Sequence, residues 1–307
     1  MPAETFFLDT QDGKKLHVYR WSTGNPKAVL QIAHGAVEHA GRYADFAAFL
    51  NGQGFSVYAH DLRGHGKTAE DPKIPYFADA EGGWDVLLED MHALTMLIKE
   101  QNPDIPVFLL GHSMGSFLAV SYCAKYGAEL KGGIISGTGT NSPMLLRLLK
   151  SLANRDIKRY GHRHPSRFLH NLVFGTLNAR IKGAKSPYDF ICTDRSVVDA
   201  YLKDEYCGNT ATSEFLREMA KGIERLNDKR TYEATPKDLS ILFISGEFDP
   251  LAGNKLKAMR RVYNGYVGAG LKDVSVIVYE GARHEILNEP GRLKTYRDIA
   301  EFLFKKI

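Results

Sequence analysis

Cysteine is scarce in this chain: Cys123, Cys192 and Cys207 are the only three in 307 residues. An odd, low count without regular spacing excludes a disulfide-stapled scaffold and suits a reducing compartment. Long apolar runs are also missing, and none approaches the roughly 18 residues that a membrane-spanning helix needs. The start, Met1-Pro2-Ala3-Glu4, has no basic stretch followed by an apolar one. No signal peptide is therefore expected, and a cytoplasmic location is. Charge of one sign is nearly balanced, with a formal net charge of +4, which gives no reason to expect a nucleic-acid partner. No H-E-x-x-H or comparable cluster occurs, so neither a catalytic metal nor a cofactor is expected. Internal repeats and low-complexity tracts are absent as well. Oligomeric state leaves no sequence signal.

What is present suits a folded, globular chain. Hydrophobic residues make up 44% and charged residues 25% of the chain, enough for one large core, alone or with a modest inserted domain. Thr5 to Leu8 and Leu16 to Trp21 read as two strands joined by an Asp12-Gly13 turn. Short apolar runs at Ala28–Ala33, Phe55–Ala59, Val107–Leu110, Leu130–Ser136, Ile241–Ser245 and Val274–Tyr279 read as buried strands. Between the early ones lie helical patterns, such as Tyr43, Phe46, Ala47 and Leu50, and a final helix runs from about Arg292 to Phe304. This alternation predicts a mostly parallel central sheet with helices on both faces. It breaks from about residue 140 to 235, where only helical patterns and loops are found. The expected organisation is an α/β core in two parts, 1–139 and 236–307, interrupted by a helical cap, 140–235.

The sharpest motif is Gly111-His112-Ser113-Met114-Gly115, directly after Val107-Phe108-Leu109-Leu110. A serine between a strand and a helix sits on a tight turn that pushes its Oγ out above the sheet. Among 29 glycines a bare G-x-S-x-G carries little weight; the strand and helix on either side give it meaning. Serine needs a base within hydrogen-bond reach. In such a sheet the acid and then the histidine follow the serine, each on a loop past a later strand. Asp249, just beyond Ile241–Ser245, and His284, just beyond Val274–Tyr279, meet that requirement. Glu247 is the nearby rival acid. Of the eleven histidines, His34, His39, His60 and His65 precede the serine, and His162, His164 and His170 lie in the insertion beside basic residues.

Acyl transfer places negative charge on the substrate oxygen, and two backbone N–H groups should face it. Met114, after the serine, is one expected donor, and Ala36, in the loop after the strand ending at His34-Gly35, is the other. Gly35 is expected to let that backbone turn sharply, and Glu38 and His39 to hold the loop from behind. The run Asp61-Leu62-Arg63-Gly64-His65-Gly66 follows another strand and reads as a rigid supporting loop lining the site, with Asp61 and Arg63 as its charged pair.

These motifs resemble those of the monoacylglycerol lipase and lysophospholipase group, which is often filed with the serine aminopeptidase S33 hydrolases. His34-Gly35-Ala36-Val37-Glu38-His39, with Arg42-Tyr43 behind it, is similar to that group's oxyanion loop. Asp61 to Gly66 is similar to its second hallmark, Gly111 to Gly115 to its elbow, and Gly246-Glu247-Phe248-Asp249-Pro250 and Arg283-His284-Glu285 to its acid and base loops. Lys67-Thr68 and Pro250 depart from the common pattern without touching a catalytic atom. The resemblance implies an α/β-hydrolase fold and a cofactor-free serine hydrolase of acyl esters with a helical cap. The alternatives carried forward are a short-chain carboxylesterase, an aminopeptidase-like hydrolase, and a non-catalytic binding protein on the same fold.

The insertion itself points to a lipid-like ester as the partner. Met144, Leu145, Leu146, Leu148, Leu149 and Leu152 form one apolar patch, and Phe168, Leu169, Leu172, Val173, Phe174 and Leu177 another. Basic residues surround them, among them Arg147, Lys150, Arg155, Lys158, Arg159, Arg163, Arg167, Arg180, Lys182 and Lys185. Such a cap suits an acyl chain and transient contact with an anionic membrane surface. The competing reading is that the leucines pack the cap onto the core and the charges form its wet face.

Overall fold

A computed structural model describes residues 3–78 and 82–307. Met1-Pro2 and residues 79–81 lie outside the described residues. Eight strands form one sheet in the order β1-β2-β4-β3-β5-β6-β7-β8. They are β1 (Glu4–Asp9), β2 (Lys15–Trp21), β3 (Ala28–Ala33), β4 (Phe55–His60), β5 (Val107–His112), β6 (Gly132–Ser136), β7 (Ser240–Gly246) and β8 (Val274–Tyr279). The β1–β2 and β2–β4 pairs are antiparallel, and every other pair is parallel. Strands β3, β4, β5, β6 and β7 are buried along their whole length. That is why they read as continuous apolar runs instead of alternating ones.

The helices α1 (Ala44–Gly52), α2 (Gly83–Gln101), α3 (Met114–Tyr126), α9 (Lys257–Gly268) and α10 (Arg292–Phe304) cover the sheet. One buried cluster joins α2, α3 and α9 to one face; the other joins α1 and α10 to the opposite face. The fold is an α/β-hydrolase sheet with helices on both faces.

Between β6 and β7 the chain makes α4 (Pro143–Tyr160), α5 (Arg167–Phe174), α6 (Arg195–Lys203), α7 (Ser213–Arg225) and α8 (Lys229–Ala234). No strand forms here, only an isolated bridge between Pro165 and Thr212. Ser142 starts α4 by accepting the Leu145 N–H, with Pro143 at the first helical position. Leu146, Leu149 and Ala153 recur at helical spacing and are the buried side of α4. They join α7 and the core helices α2 and α3 in one buried cluster. The stretch from Tyr188 to Cys207 packs a smaller cluster of its own, centred on Cys192, Val198 and Tyr201.

Candidate active site

The elbow is built by close approach. A Cβ on Gly111 would overlap the Gly115 carbonyl, and one on Gly115 would overlap the carbonyl of Ala33 in β3. Strand β5, helix α3 and strand β3 can therefore meet only where both positions lack side chains. Between them Ser113 adopts φ 54°, ψ −120°, a conformation costly for an L-residue. Its N–H is held by the Ser136 carbonyl at 2.9 Å, and its own carbonyl accepts from Ser116 N at 2.8 Å. Strain at this one position is thus maintained by the strand on one side and the first turn of α3 on the other.

The acid and base candidates come together past the ends of β7 and β8. His284 Nδ1 donates to Asp249 Oδ1 at 3.0 Å, and both side chains are buried. Asp249 Oδ1 also accepts the Leu251 N–H at 2.8 Å, which fixes the carboxylate within its own turn. Burial alone would lower the His284 pKa, but Asp249, followed by Glu285 and Glu38, outweighs it and holds the imidazole above its usual value. The rival Glu247 points elsewhere, accepting the Gly281 N–H at the surface. Cap residues clasp the base loop: His284 N donates to Phe190 O at 3.2 Å and Glu285 N to Ile191 O at 2.7 Å. Arg283 adds bonds to the Asp189 and Cys192 carbonyls.

In the loop after β3 the N–H groups on either side of Ala36 are occupied. Gly35 N donates to Glu38 Oε1 at 2.6 Å, and Val37 N to His65 Nε2 at 3.1 Å. Among the described residues no protein acceptor takes the N–H of Ala36 or of Met114. Both residues line the cavity that contains Ser113 and His284. Two unspent donors beside a serine are what an oxyanion requires.

Three expectations about the supporting residues need correction. Gly35 does not make the sharp turn; the positive φ belongs to Val37, at 50°. Gly35 is needed for space, since a Cβ there would lie 2.8 Å from Glu38 Oε1 and 3.1 Å from Ser113 Cβ. His39 does not hold the loop from behind; its Nε2 pairs with Asp204 Oδ2 at 3.0 Å, reaching forward to the cap. The loop Asp61 to Gly66 does not line the cavity. Asp61 is buried beneath it, accepting the Ala40 and Lys67 N–H groups. Arg63 faces away, clamped to Asp90 of α2 and to Asp12 in the β1–β2 turn. The loop acts through His65, which burial keeps neutral by pushing its pKa down to about 3, so that Nε2 is free to accept from Val37.

Sequence reasoning gave no role to Arg42 or Glu285, and the structure makes them central. Arg42 donates to Glu38 at 2.5 Å and to both oxygens of Glu285 at 2.8 and 2.7 Å. One guanidinium therefore joins the Ala36 loop to the residue after His284. Burial would raise the Glu38 carboxyl, but Arg42, then His112 and His34, bring it down to about 2. The available signal was charge inside otherwise apolar motifs. His112, 4.7 Å from the His284 ring, is kept neutral by burial and then by His284, with its pKa pushed down to about 4.

The cavity above Ser113 has a volume of about 530 Å³. Its walls include Leu145, Leu148, Leu149, Leu172, Val173 and Phe174 of the cap. The carboxylates on its lining are Glu38 and Glu285, both paired with Arg42. Glu214 and Glu218 of α7 lie elsewhere, beneath the start of α2, where they accept the Phe77 and Trp84 N–H groups. No helix among the described residues is long and apolar enough to cross a membrane.

Known proteins share this fold and much of this sequence pattern. The profile of the family described as Serine aminopeptidase, S33 matches residues 24–291. A monoacylglycerol lipase of Mycolicibacterium smegmatis is 27% identical over 287 residues, spanning 91% of this chain and 89% of that protein. The monoglyceride lipase of Homo sapiens is 28% identical, spanning 92% of this chain and 84% of its own. A solved carboxyl esterase of Bacillus coagulans, in complex with glycerol, superposes with a TM-score of 0.91 at 29% identity, covering 100% of this chain and 99% of that one. With a profile that spans well over four-fifths of its length and a fold that superposes end to end, the chain belongs to the serine aminopeptidase S33 family of α/β-hydrolases and is a serine hydrolase of the esterase type.

Proposed function

We propose that the protein cleaves esters carrying a single long acyl chain, of the monoacylglycerol or lysophospholipid kind, through an acyl-enzyme on Ser113. His284 takes the Ser113 proton as Oγ attacks the carbonyl carbon, and returns it to the departing alkoxide. Asp249 fixes the ring and stabilises the imidazolium, while the N–H groups of Ala36 and Met114 receive the oxyanion. Water then repeats the sequence in reverse and releases the fatty acid. Residues 140–235 act as the lid of this site, and 1–139 with 236–307 as its base.

The observation that carries the substrate reading is the apolar cavity opening on Ser113, walled by cap leucines. An acyl chain threaded there leaves water at about 0.8 kcal/mol per methylene. The names of the relatives support the same class. An aminopeptidase would need an acid free to hold the substrate's α-amine, and the carboxylates lining the cavity are committed to Arg42. On the outer side, Met144 and Phe168 are more than half exposed, with Arg147, Arg155 and Arg167 exposed on the same helices. That mixture suits transient contact with a lipid surface.

The test is a chain-length series of glycerol monoesters below their micellar limits, beside p-nitrophenyl acetate and an aminoacyl amide. The expected result is a kcat/KM that climbs steadily from two carbons to about eight or more. A series that peaks at acetate would favour a short-chain carboxylesterase. Preference for the amide would favour the peptidase.

A further inference from the structure

We infer that His39, Asp204 and Cys207 form a site for one divalent cation of the zinc class, which fastens the connection between α6 and α7 to the Ala36 loop. Among the described residues, one ligand atom from each of the three lies within 4.8 Å of the others. None of them lines the cavity above Ser113, so the site is separate from the reaction centre. An imidazole, a carboxylate and a thiol together suit zinc or cobalt and not the oxygen-seeking magnesium or calcium.

The local structure arranges these donors in advance. Cys207 N donates to Asp204 O at 3.1 Å, closing a turn with the two side chains at its ends. Tyr206 N donates to Asp204 Oδ1 at 2.9 Å, which fixes the carboxylate and leaves Oδ2 to face His39 Nε2 at 3.0 Å. Fixing the far oxygen of a ligating carboxylate is the usual way to orient it. The turn is in turn registered on the Ala36 loop: Gly208 N and Tyr201 Oη both donate to Val37 O, at 2.9 and 2.8 Å.

A tetrahedral ion with bonds of about 2.0–2.3 Å needs its ligand atoms roughly 3.3–3.8 Å apart. The widest separation in the cluster therefore has to close by about 1 Å, while the His39–Asp204 pair, now at 3.0 Å, opens slightly. The His39 and Asp204 side chains are 15% and 29% exposed, which gives an ion its path in and leaves the fourth position to water. Cys207 is buried. Burial raises its thiol above the usual value and Arg42 opposes that rise. On binding, the S–H bond breaks, its electron pair goes to the metal and the proton leaves to solvent. A bound ion then adds a direct link between the cap and a loop whose Ala36 N–H has no protein acceptor among the described residues.

Cobalt(II) added to chelator-treated protein reads the site directly. One equivalent should bind with a thiolate-to-cobalt charge-transfer band and tetrahedral d–d absorption, and zinc should displace it. Zinc should also raise the unfolding temperature of the wild type. Cys207→Ser should abolish the band and the zinc-dependent stabilisation while leaving metal-free ester hydrolysis unchanged. His39→Gln should keep the band and weaken cobalt binding by about tenfold or more. No charge-transfer band in the wild type would overturn the inference. So would a band that persists in Cys207→Ser, which would put the thiolate at Cys123 or Cys192, or unaltered cobalt affinity in His39→Gln.

Discussion

The two sides of the cavity above Ser113 are built from different chemistry. On the sheet side polar groups sit in fixed places: Gly35 N on Glu38, Val37 N on His65, His284 on Asp249, Arg42 across Glu38 and Glu285. Each is hydrogen-bonded and, apart from the half-buried Arg42, buried, so displacing one leaves another unpaired at a cost of about 1–3 kcal/mol or more. On the cap side α4 and α5 offer leucines, valine and phenylalanine, and their outer faces stay open, with Met144 79% and Phe168 67% exposed. Directional bonds demand one geometry, whereas apolar contacts accept any chain that fills the space. On the proposed function, the sheet side is the seat of the reaction and the cap side the seat of selectivity.

That division is sharpest at Ser113. Ser113→Ala should lower kcat by roughly 10⁴-fold or more for every acyl length, with the circular dichroism spectrum intact. Retention of a tenth of wild-type rate on a p-nitrophenyl ester would mean that another group attacks. Asp249→Asn should cost about 10³- to 10⁴-fold, again regardless of acyl length. It should also move the pH profile. In the wild type, kcat/KM should rise as His284 loses its proton, on a limb displaced above the imidazole's usual range because Asp249 favours the charged form. Removing that carboxylate lets burial dominate, so the limb should shift to lower pH. An unmoved limb in Asp249→Asn would assign the titration to a different group.

Arg42→Lys tests whether positioning from behind belongs with the chemistry. A lysine cannot bridge two carboxylates with a planar fork, so the Ala36 and His284 loops should lose their common brace. The expected loss is about 10- to 100-fold in kcat with KM little changed. A loss confined to KM would count Arg42 with the cap side. The converse variant, Leu145→Ala with Leu172→Ala, should reduce kcat/KM for chains of about eight carbons roughly tenfold and leave acetate nearly unchanged. An equal fall for acetate would erase the division.

The smallest expected effect concerns the join between cap and core. Glu214 is buried under the start of α2, and burial raises its pKa to about 8. The folded state prefers the neutral acid, so the stability linked to this group is present below the unfolded carboxyl range and is lost as pH rises toward 8. Glu214→Gln should therefore unfold about 4 °C higher than wild type at pH 9 and within a degree of it at pH 4.5. Equal unfolding temperatures at both values would show that the carboxyl is solvated.

Much of the sheet side was legible in the sequence because its elements obey local rules. Buried parallel strands read as apolar runs, and an elbow between a strand and a helix needs glycine on both sides of the serine. Arg42, Glu285 and His65 were not legible as a network, because their partners lie up to 243 residues away in the chain and no periodicity connects them. The same distance hides the approach of His39 to Asp204 and Cys207. Arg63 was misplaced because a charged residue between glycines in a loop after a strand looks the same whether it faces the cavity or, as here, α2. The cap leucines could not be divided by sequence into packing and lining residues. On α4 burial does not divide them either: Leu146 and Leu149 are buried, Leu145 and Leu148 are exposed, and all four reach the cavity.

Helix α7 belongs to the cap by position in the chain, yet it is almost wholly buried and shares its cluster with α2 and α3. Trp84 of α2 lies so close to Gly222 that a Cβ there would overlap the indole ring. As raw material for recombination, then, the insertion is not one exchangeable module. A chimaera that takes residues 143–203 from a relative replaces α4, α5 and α6, much of the acyl-facing wall, and keeps the native floor. One that takes 143–225 imports a helix cut to fit another protein's α2, and should fail at the Trp84 seam unless that helix is brought along with its partner. The same seam marks where sequence can diverge freely in this architecture and where two distant segments have to change together.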